Sequence, residues 1–232
     1  MSSIEGVRRV VVKIGTNLLS PGNRLDTDYI DIIAGQIAES ARKDLQFLLV
    51  SSGAIGMGAA ELGIEEKVTE VQMRQACAAI GQPLLMYQYR KSFSVYGINI
   101  AQVLLTREVL NNRKSYLNLR NSVEQLLSLG VVPIFNENDS ISTDEIGTAF
   151  GDNDRLSAFV ASKVDADLLL LLTDIDALYS GDPRYDSEAK RIPVVEHIDE
   201  EVLSYAGAEG SEFSTGGMKT KLRAAQIAAD AG

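Results

Sequence analysis

The chain has one cysteine, one histidine and no tryptophan among its 232 residues. A single thiol, Cys77, excludes an internal disulfide framework and fits a reducing compartment such as the cytoplasm. Set in the apolar stretch "RQACAAIG", it reads as a small core residue. The single imidazole, His197, follows "RIPVVE" in a polar segment and reads as a surface residue, which disfavours a histidine metal site and a serine–histidine relay alike. Positive charge is also short: Lys and Arg number 22 against 32 Asp and Glu, a net charge of −10 at pH 7. Without a basic stripe, nucleic acid is not an expected partner. No apolar run approaches ~18 residues, so no membrane span is expected. The opening "MSSIEGVRRVVVKIG" lacks a small-residue cleavage site and reads as a first strand rather than a leader.

What is present is ample apolar material, 45% of residues, arranged with a clear rhythm. Five short continuous runs, "RRVVVKI", "QFLLVSS", "INIAQVLLT", "VVPIFN" and "DLLLLLTD", have the composition of strands buried on both faces of a parallel sheet. Between them lie amphipathic stretches of helical period, so the fold class is α/β, with helices layered on a mainly parallel sheet. Pro83 predicts a break between two helices, because it removes a hydrogen bond and crowds the preceding turn. The turn-rich segment from Tyr179 to Lys221 predicts a surface excursion with a short hairpin, feeding a glycine-rich loop and a last helix ending at Gly232. A further strand is expected to follow such a helix.

Strand C-termini of a parallel sheet share one edge, and ligands collect there. Every run here exits into polar residues: Lys13; Ser51 and Ser52; Thr106 and Arg107; "NENDS", Asn136 to Ser140; and Thr173, Asp174 and Asp176. The turns "KIGTN", "SSGAIGMG" and "STGGMKTKL" add glycines ahead of helices, where backbone N–H groups can approach an anion closely. None matches the Walker or dinucleotide-binding spacing. Lys13 at a strand end and Lys221 after "TGG" can flank the same phosphate oxygens, which is what phosphoryl transfer needs. The plainer readings are a strand-end lysine reaching water and an ordinary surface charge on a helix. In "GTAFGDNDRLSAFVASK" the cluster Asp152, Asn153 and Asp154 exceeds what helix capping requires.

The motifs "VVVKIGTNLL", "VSSGAIGMG", "RQACAAIGQPLLM", "PIFNENDSIST", "FGDNDRLSAFVA", "LLLLLTDIDALYSGDPR" and "STGGMKTKLRAAQIA" resemble the glutamate 5-kinases of the amino acid kinase family, in order and nearly end to end. The resemblance implies a three-layer αβα sandwich spanning residues 1–232 as one amino acid kinase domain, its last C-terminal elements lacking, with no PUA domain in this chain. It implies ATP- and Mg2+-dependent phosphorylation of the γ-carboxylate of L-glutamate, the first step of proline biosynthesis. By motif, Lys13 and Lys221 would stabilise the migrating phosphoryl group and Asp154 would organise them. Ser52, Asp139 and Asn153 would bind glutamate. Thr173, Asp174 and the loop Thr215, Gly216, Gly217, Met218, Lys219, Thr220 and Lys221, together with Lys13, would bind ATP, and Mg2+ would ride on its phosphates rather than on protein side chains. Feedback inhibition by proline and a dimeric or tetrameric homo-oligomer are further implications.

The chemistry is compatible with the residue inventory. A carboxylate acceptor is already ionised at neutral pH and needs no general base, so the shortage of histidine is no obstacle. One departure is the segment "SISTDEIGTAF" between "NEND" and "GDND", about two residues longer than in the enzymes compared. Two alternatives stay open at this level. The acceptor can be acetylglutamate, aspartate, uridine monophosphate or isopentenyl phosphate, although an acidic pocket residue suits a free amino group. The chain can also be a non-catalytic amino-acid sensor on the same fold.

Overall fold

A run of valines flanked by arginine and lysine makes the first strand, β1 (Arg9–Ile14), every residue of which from Val10 onward is buried. It lies inside a five-stranded sheet with β2 (Gln46–Val50), β3 (Ile100–Leu105), β4 (Val132–Glu137) and β5 (Leu168–Leu172), in the order β3-β4-β2-β1-β5. All four pairings are parallel, with Lys13 beside Val50 on one side and Leu171 on the other. The computed structural model describes residues 5–19, 25–41, 43–106, 108–109, 112–141, 153–206 and 217–232.

Helices cover both faces. The described ones are α1 (Thr16–Leu19), α2 (Thr27–Ala41), α3 (Ala54–Glu61), α4 (Val71–Ser94), α5 (Arg113–Ser128), α6 (Asn153–Lys163), α7 (Glu200–Ser204) and α8 (Met218–Asp230). Because strand side chains alternate, Val10, Val12 and Ile14 face α2 and α4, packing with Ile30, Ile33, Leu85, Tyr89 and Phe93. Val11 points the other way, into a second core with Val123 and Leu127 of α5 and Leu156 and Val160 of α6. Lys13 shares the parity of Val11, so its side chain rises on the α6 side. This is the expected αβα sandwich. The expected hairpin is also there, as β6 (Leu178–Tyr179) paired antiparallel with β7 (Arg191–Ile192). Among the described residues no helix is long and apolar enough to cross a membrane.

Two expectations need correcting. Pro83 does not separate two helices; it lies inside the single 24-residue α4. An interior proline costs roughly 3 kcal/mol, but α4 is anchored on both sides of it, by Cys77 and Ala78 before and Leu85, Tyr89 and Phe93 after, all buried. That burial outweighs the local penalty. Nor are the third and fifth runs buried on both faces: β3 and β5 are the terminal strands of the described sheet, with Gln102 exposed on β3 and Leu170 38% exposed on β5.

α3 and α4 approach each other closely at two glycines. A Cβ at Gly58 would lie 1.9 Å from the Cys77 carbonyl oxygen, and one at Gly81 would lie 1.9 Å from that of Ala54. Gly58→Ala and Gly81→Ala are therefore expected to destabilise the fold by about 1–3 kcal/mol in urea titrations. In an unobstructed helix the same change would stabilise by roughly 1 kcal/mol through propensity, so the sign of the effect checks the contact.

Candidate active site

The strand exits do converge. Lys13, the penultimate residue of β1, is only 2% exposed, so it does not reach out to water. Its Nζ lies 2.5 Å from Oδ1 of Asp154, which is fully buried in the first turn of α6. Lys221, in the first turn of α8, places Nζ 3.4 Å from the other oxygen, Oδ2. The Thr220 hydroxyl lies 2.9 Å from that same Oδ2 and 2.7 Å from the Gly217 carbonyl oxygen. Gly217 caps α8 in an extended conformation. One carboxylate thus holds two ammonium groups that come from opposite ends of the chain. The trio carries a net +1 in a largely dehydrated setting, an arrangement that attracts an anion to the side Asp154 does not occupy.

A second cluster adjoins the first through α6. The Asn153 side chain shares its two Nδ2 hydrogens among Ser52 Oγ at 2.9 Å, Asn136 Oδ1 at 2.9 Å and the Ser51 carbonyl oxygen. Ser51 and Ser52 follow β2 and are buried, and Asn136 lies near the end of β4 at 3% exposure. The Ser51 hydroxyl meets the Tyr89 hydroxyl at 2.9 Å, and burial raises the Tyr89 pKa far above the ordinary phenol range. Gly53 then takes φ 96° to turn the chain into α3, a left-handed conformation that suits glycine. Asp139, in the turn after β4, is half-buried; desolvation raises its pKa, and the positive charge of Arg74 partly offsets this.

The third group sits beyond β5. The Thr173 hydroxyl donates to Asp174 Oδ1 at 3.1 Å, and Asn17 Nδ2 donates to Asp174 Oδ2 at 3.0 Å. These bonds, that from Asn17 first, lower the Asp174 pKa, with a smaller contribution from Lys221. The exits of β1 and β5 are also tied directly, Gly15 N–H donating to the Leu172 carbonyl at 3.1 Å.

Of the residues singled out from the sequence, Lys13, Asp154, Thr220 and Lys221 meet in one cluster and Ser52 and Asn153 in the next. Thr173 and Asp174 lie at the neighbouring strand exit. Gly217 and Met218 open α8, with Lys219 in its first turn. Thr215, Gly216, Arg107, Asp152 and the long segment 142–152 lie outside the described residues. Among the described residues no group of three or more His, Cys, Asp and Glu side chains is arranged to hold a metal ion. Three participants were not assigned from the sequence. Asn136 stands in the quoted "NENDS" exit, and Asn17 follows "KIGT". Gln82, a polar residue in the apolar stretch "AAIGQPLL", accepts a hydrogen bond from Asn136 Nδ2 at 2.9 Å.

The sequence pattern described as "Amino acid kinase family" matches residues 8–232. The chain is 47% identical over 237 aligned positions to "Glutamate 5-kinase" of Methanosarcina barkeri (strain Fusaro / DSM 804), covering 99% of this chain and 62% of that protein. It is 44% identical over 232 positions to "Glutamate 5-kinase" of Myxococcus xanthus (strain DK1622), covering 100% of this chain and 61% of the relative. With "Glutamate 5-kinase" of Caldanaerobacter subterraneus subsp. tengcongensis the identity is 46%, over 97% of this chain and 60% of the relative. The chain therefore spans about three fifths of the length of these relatives. From the fold, the sheet-edge cluster and the match over residues 8–232, the chain belongs to the amino acid kinase family.

Proposed function

We propose that this chain carries out ATP-dependent phosphorylation of the γ-carboxylate of L-glutamate, giving γ-glutamyl phosphate and ADP. The observation that carries the reading is the Lys13–Asp154–Lys221 trio at the C-terminal sheet edge. A glutamate carboxylate oxygen attacks the γ-phosphorus in line as the bond to the β–γ bridging oxygen breaks, and ADP departs with that electron pair. No proton has to move. The protein's task is to offset charge, and the two ammonium groups do so while Asp154 fixes their separation. Mg2+ on the phosphate oxygens would supply further positive charge. Thr173, Asp174 and the loop Thr215–Lys221 would hold the nucleotide.

The acceptor side favours a free amino acid. Because Asn153 spends Nδ2 on protein oxygens, the group it has left to offer is Oδ1, an acceptor. Ser52 Oγ accepts from Asn153, so its own proton can be given to a carboxylate of the substrate. Asp139 adds a negative charge suited to the α-ammonium. Acceptors without an amino group leave the desolvated Asp139 with only the partial offset from Arg74. A single domain of this kind, cytoplasmic, homo-oligomeric and inhibited by proline, is the setting we propose for it, with glutamate and ATP as its ligands.

The direct test is trapping of γ-glutamyl phosphate by hydroxylamine. Hydroxamate formation from L-glutamate, ATP and Mg2+ is expected. Turnover only with acetylglutamate, aspartate or a phosphate acceptor would overturn the substrate assignment, and binding of both ligands without hydroxamate would favour a sensor.

Asp139 gives a pH-dependent check. An ammonium ligand needs its ionised form, and burial raises its pKa. Acceptor affinity should therefore weaken as pH falls through that raised pKa, beginning above the usual carboxylate range of about 4. Asp139→Asn should raise KM for L-glutamate by roughly 10–100-fold, leave KM for ATP in place, and abolish the acid limb. A change confined to ATP would remove Asp139 from the acceptor pocket.

A further inference from the structure

The amide of Asn153 does not stand alone. It is the last link in a row of side-chain amides that begins on the outer strand β3: Gln102 Oε1 accepts from Gln82 Nε2 at 3.4 Å, Gln82 Oε1 accepts from Asn136 Nδ2 at 2.9 Å, and Asn136 Oδ1 accepts from Asn153 Nδ2 at 2.9 Å. Two backbone groups set the polarity of the row. The Glu137 N–H, which can only donate, meets Asn136 Oδ1 at 2.9 Å, and the Ser51 carbonyl, which can only accept, meets Asn153 Nδ2. Asn136 must therefore turn its NH2 toward Gln82, and Gln82 must answer with its oxygen. Gln82 and Asn136 are both buried, so water is not at hand to substitute for either partner.

We infer that Gln82 is a positioning residue for the acceptor pocket. Through Asn136 it holds the Asn153 amide with NH2 inward and Oδ1 toward the substrate, and so favours a ligand bearing an ammonium group. The inference rests on the acceptor assignment proposed above for its ligand but not for its geometry. Gln82 is on α4, one residue from the Gly81–Ala54 close approach, so the α3–α4 crossing fixes its backbone. If Gln82 cannot accept, the buried Asn136 NH2 loses its acceptor, and on that residue only the Glu137 N–H bond to Oδ1 still opposes a flip. An Asn136 flip would then set NH2 against NH2 at Asn153.

Gln82→Met removes both amide bonds at similar volume, whereas Gln82→Glu keeps an acceptor for Asn136 and leaves the exposed Gln102 able to turn its NH2 inward. Gln82→Met should raise KM for L-glutamate about tenfold, with kcat and KM for ATP within about twofold, and Gln82→Glu should remain within about threefold of wild type. In 15N-labelled protein the side-chain amide resonances of Asn136 and Asn153 should move in Gln82→Met and stay near their wild-type positions in Gln82→Glu. Equal effects of the two substitutions, a KM change confined to ATP, or Asn153 amide signals unmoved in Gln82→Met would each overturn the inference. The amide signals need no turnover. A wild-type chain that makes no hydroxamate from glutamate would thus sink the substrate reading while the positioning role is still decided.

Discussion

Lys221→Ala lowers kcat about 10²–10³-fold while KM for L-glutamate stays within roughly twofold; this is the expected result of single-turnover and steady-state measurements on the pair. The reason is the place of its ammonium group, 3.4 Å from Asp154 Oδ2 in the first turn of α8. In the proposed reaction it would face the phosphoryl group in flight rather than the ground-state carboxylate, so its loss would fall on the transition state. Lys221 has only 13% of its side chain exposed and is one of two cations on the buried Asp154, so truncation should also lower stability, less than loss of Asp154 because Lys13 still pairs the carboxylate. An unchanged kcat would remove it from the mechanism. A rise in glutamate KM with kcat preserved would move it to the acceptor pocket.

Asp154→Ala should be the most damaging single change, because it strikes both stability and turnover. Lys13 is 2% exposed and its Nζ lies 2.5 Å from the carboxylate. Removing one partner of a buried pair leaves a charge with neither water nor counter-ion, at a cost of about 3–5 kcal/mol. The same substitution frees Lys221 from its orientation, so kcat should drop by at least about 10²-fold. The double variant Lys13→Met with Asp154→Leu separates the two effects. It should recover most of the unfolding free energy in urea titrations, since an apolar pair of similar volume replaces the ions, yet remain inactive. Recovery of activity along with stability would mean that the trio is only structural.

The sheet and the polar character of its C-terminal edge are legible in the sequence, because continuous runs such as "RRVVVKI" and "VVPIFN" leave few alternatives to buried parallel strands. Lys13 was harder, as nothing in its neighbours separates a strand-end lysine that snorkels from one buried against Asp154. The distinction depends on α6 lying over that face of β1. Pro83 misled for a related reason: local propensity argues for a break, and only the burial of Cys77, Leu85 and Tyr89 on either side shows why α4 continues. "LLLLL" cannot reveal that β5 ends the described sheet, since an outer strand packed on helices is as apolar as an inner one. Gln82 and Asn136 stand out in the sequence only as a polar residue in an apolar stretch and the first residue of a polar strand exit. Their role exists only once α4 and β4 are side by side.

The position of β1 also sets a timetable. It is completed at residue 14, pairs first with β2 at 46–50, and receives its second neighbour only when 168–172 has been made. At about 5–20 residues per second of synthesis, one edge of this valine-rich strand waits roughly 8–30 s for its partner. During that interval the growing chain presents an unpaired, strongly apolar edge, open to neighbouring nascent chains or to a holdase. Translational pausing before residue 168 should therefore lower the yield of native protein more than pausing after 172.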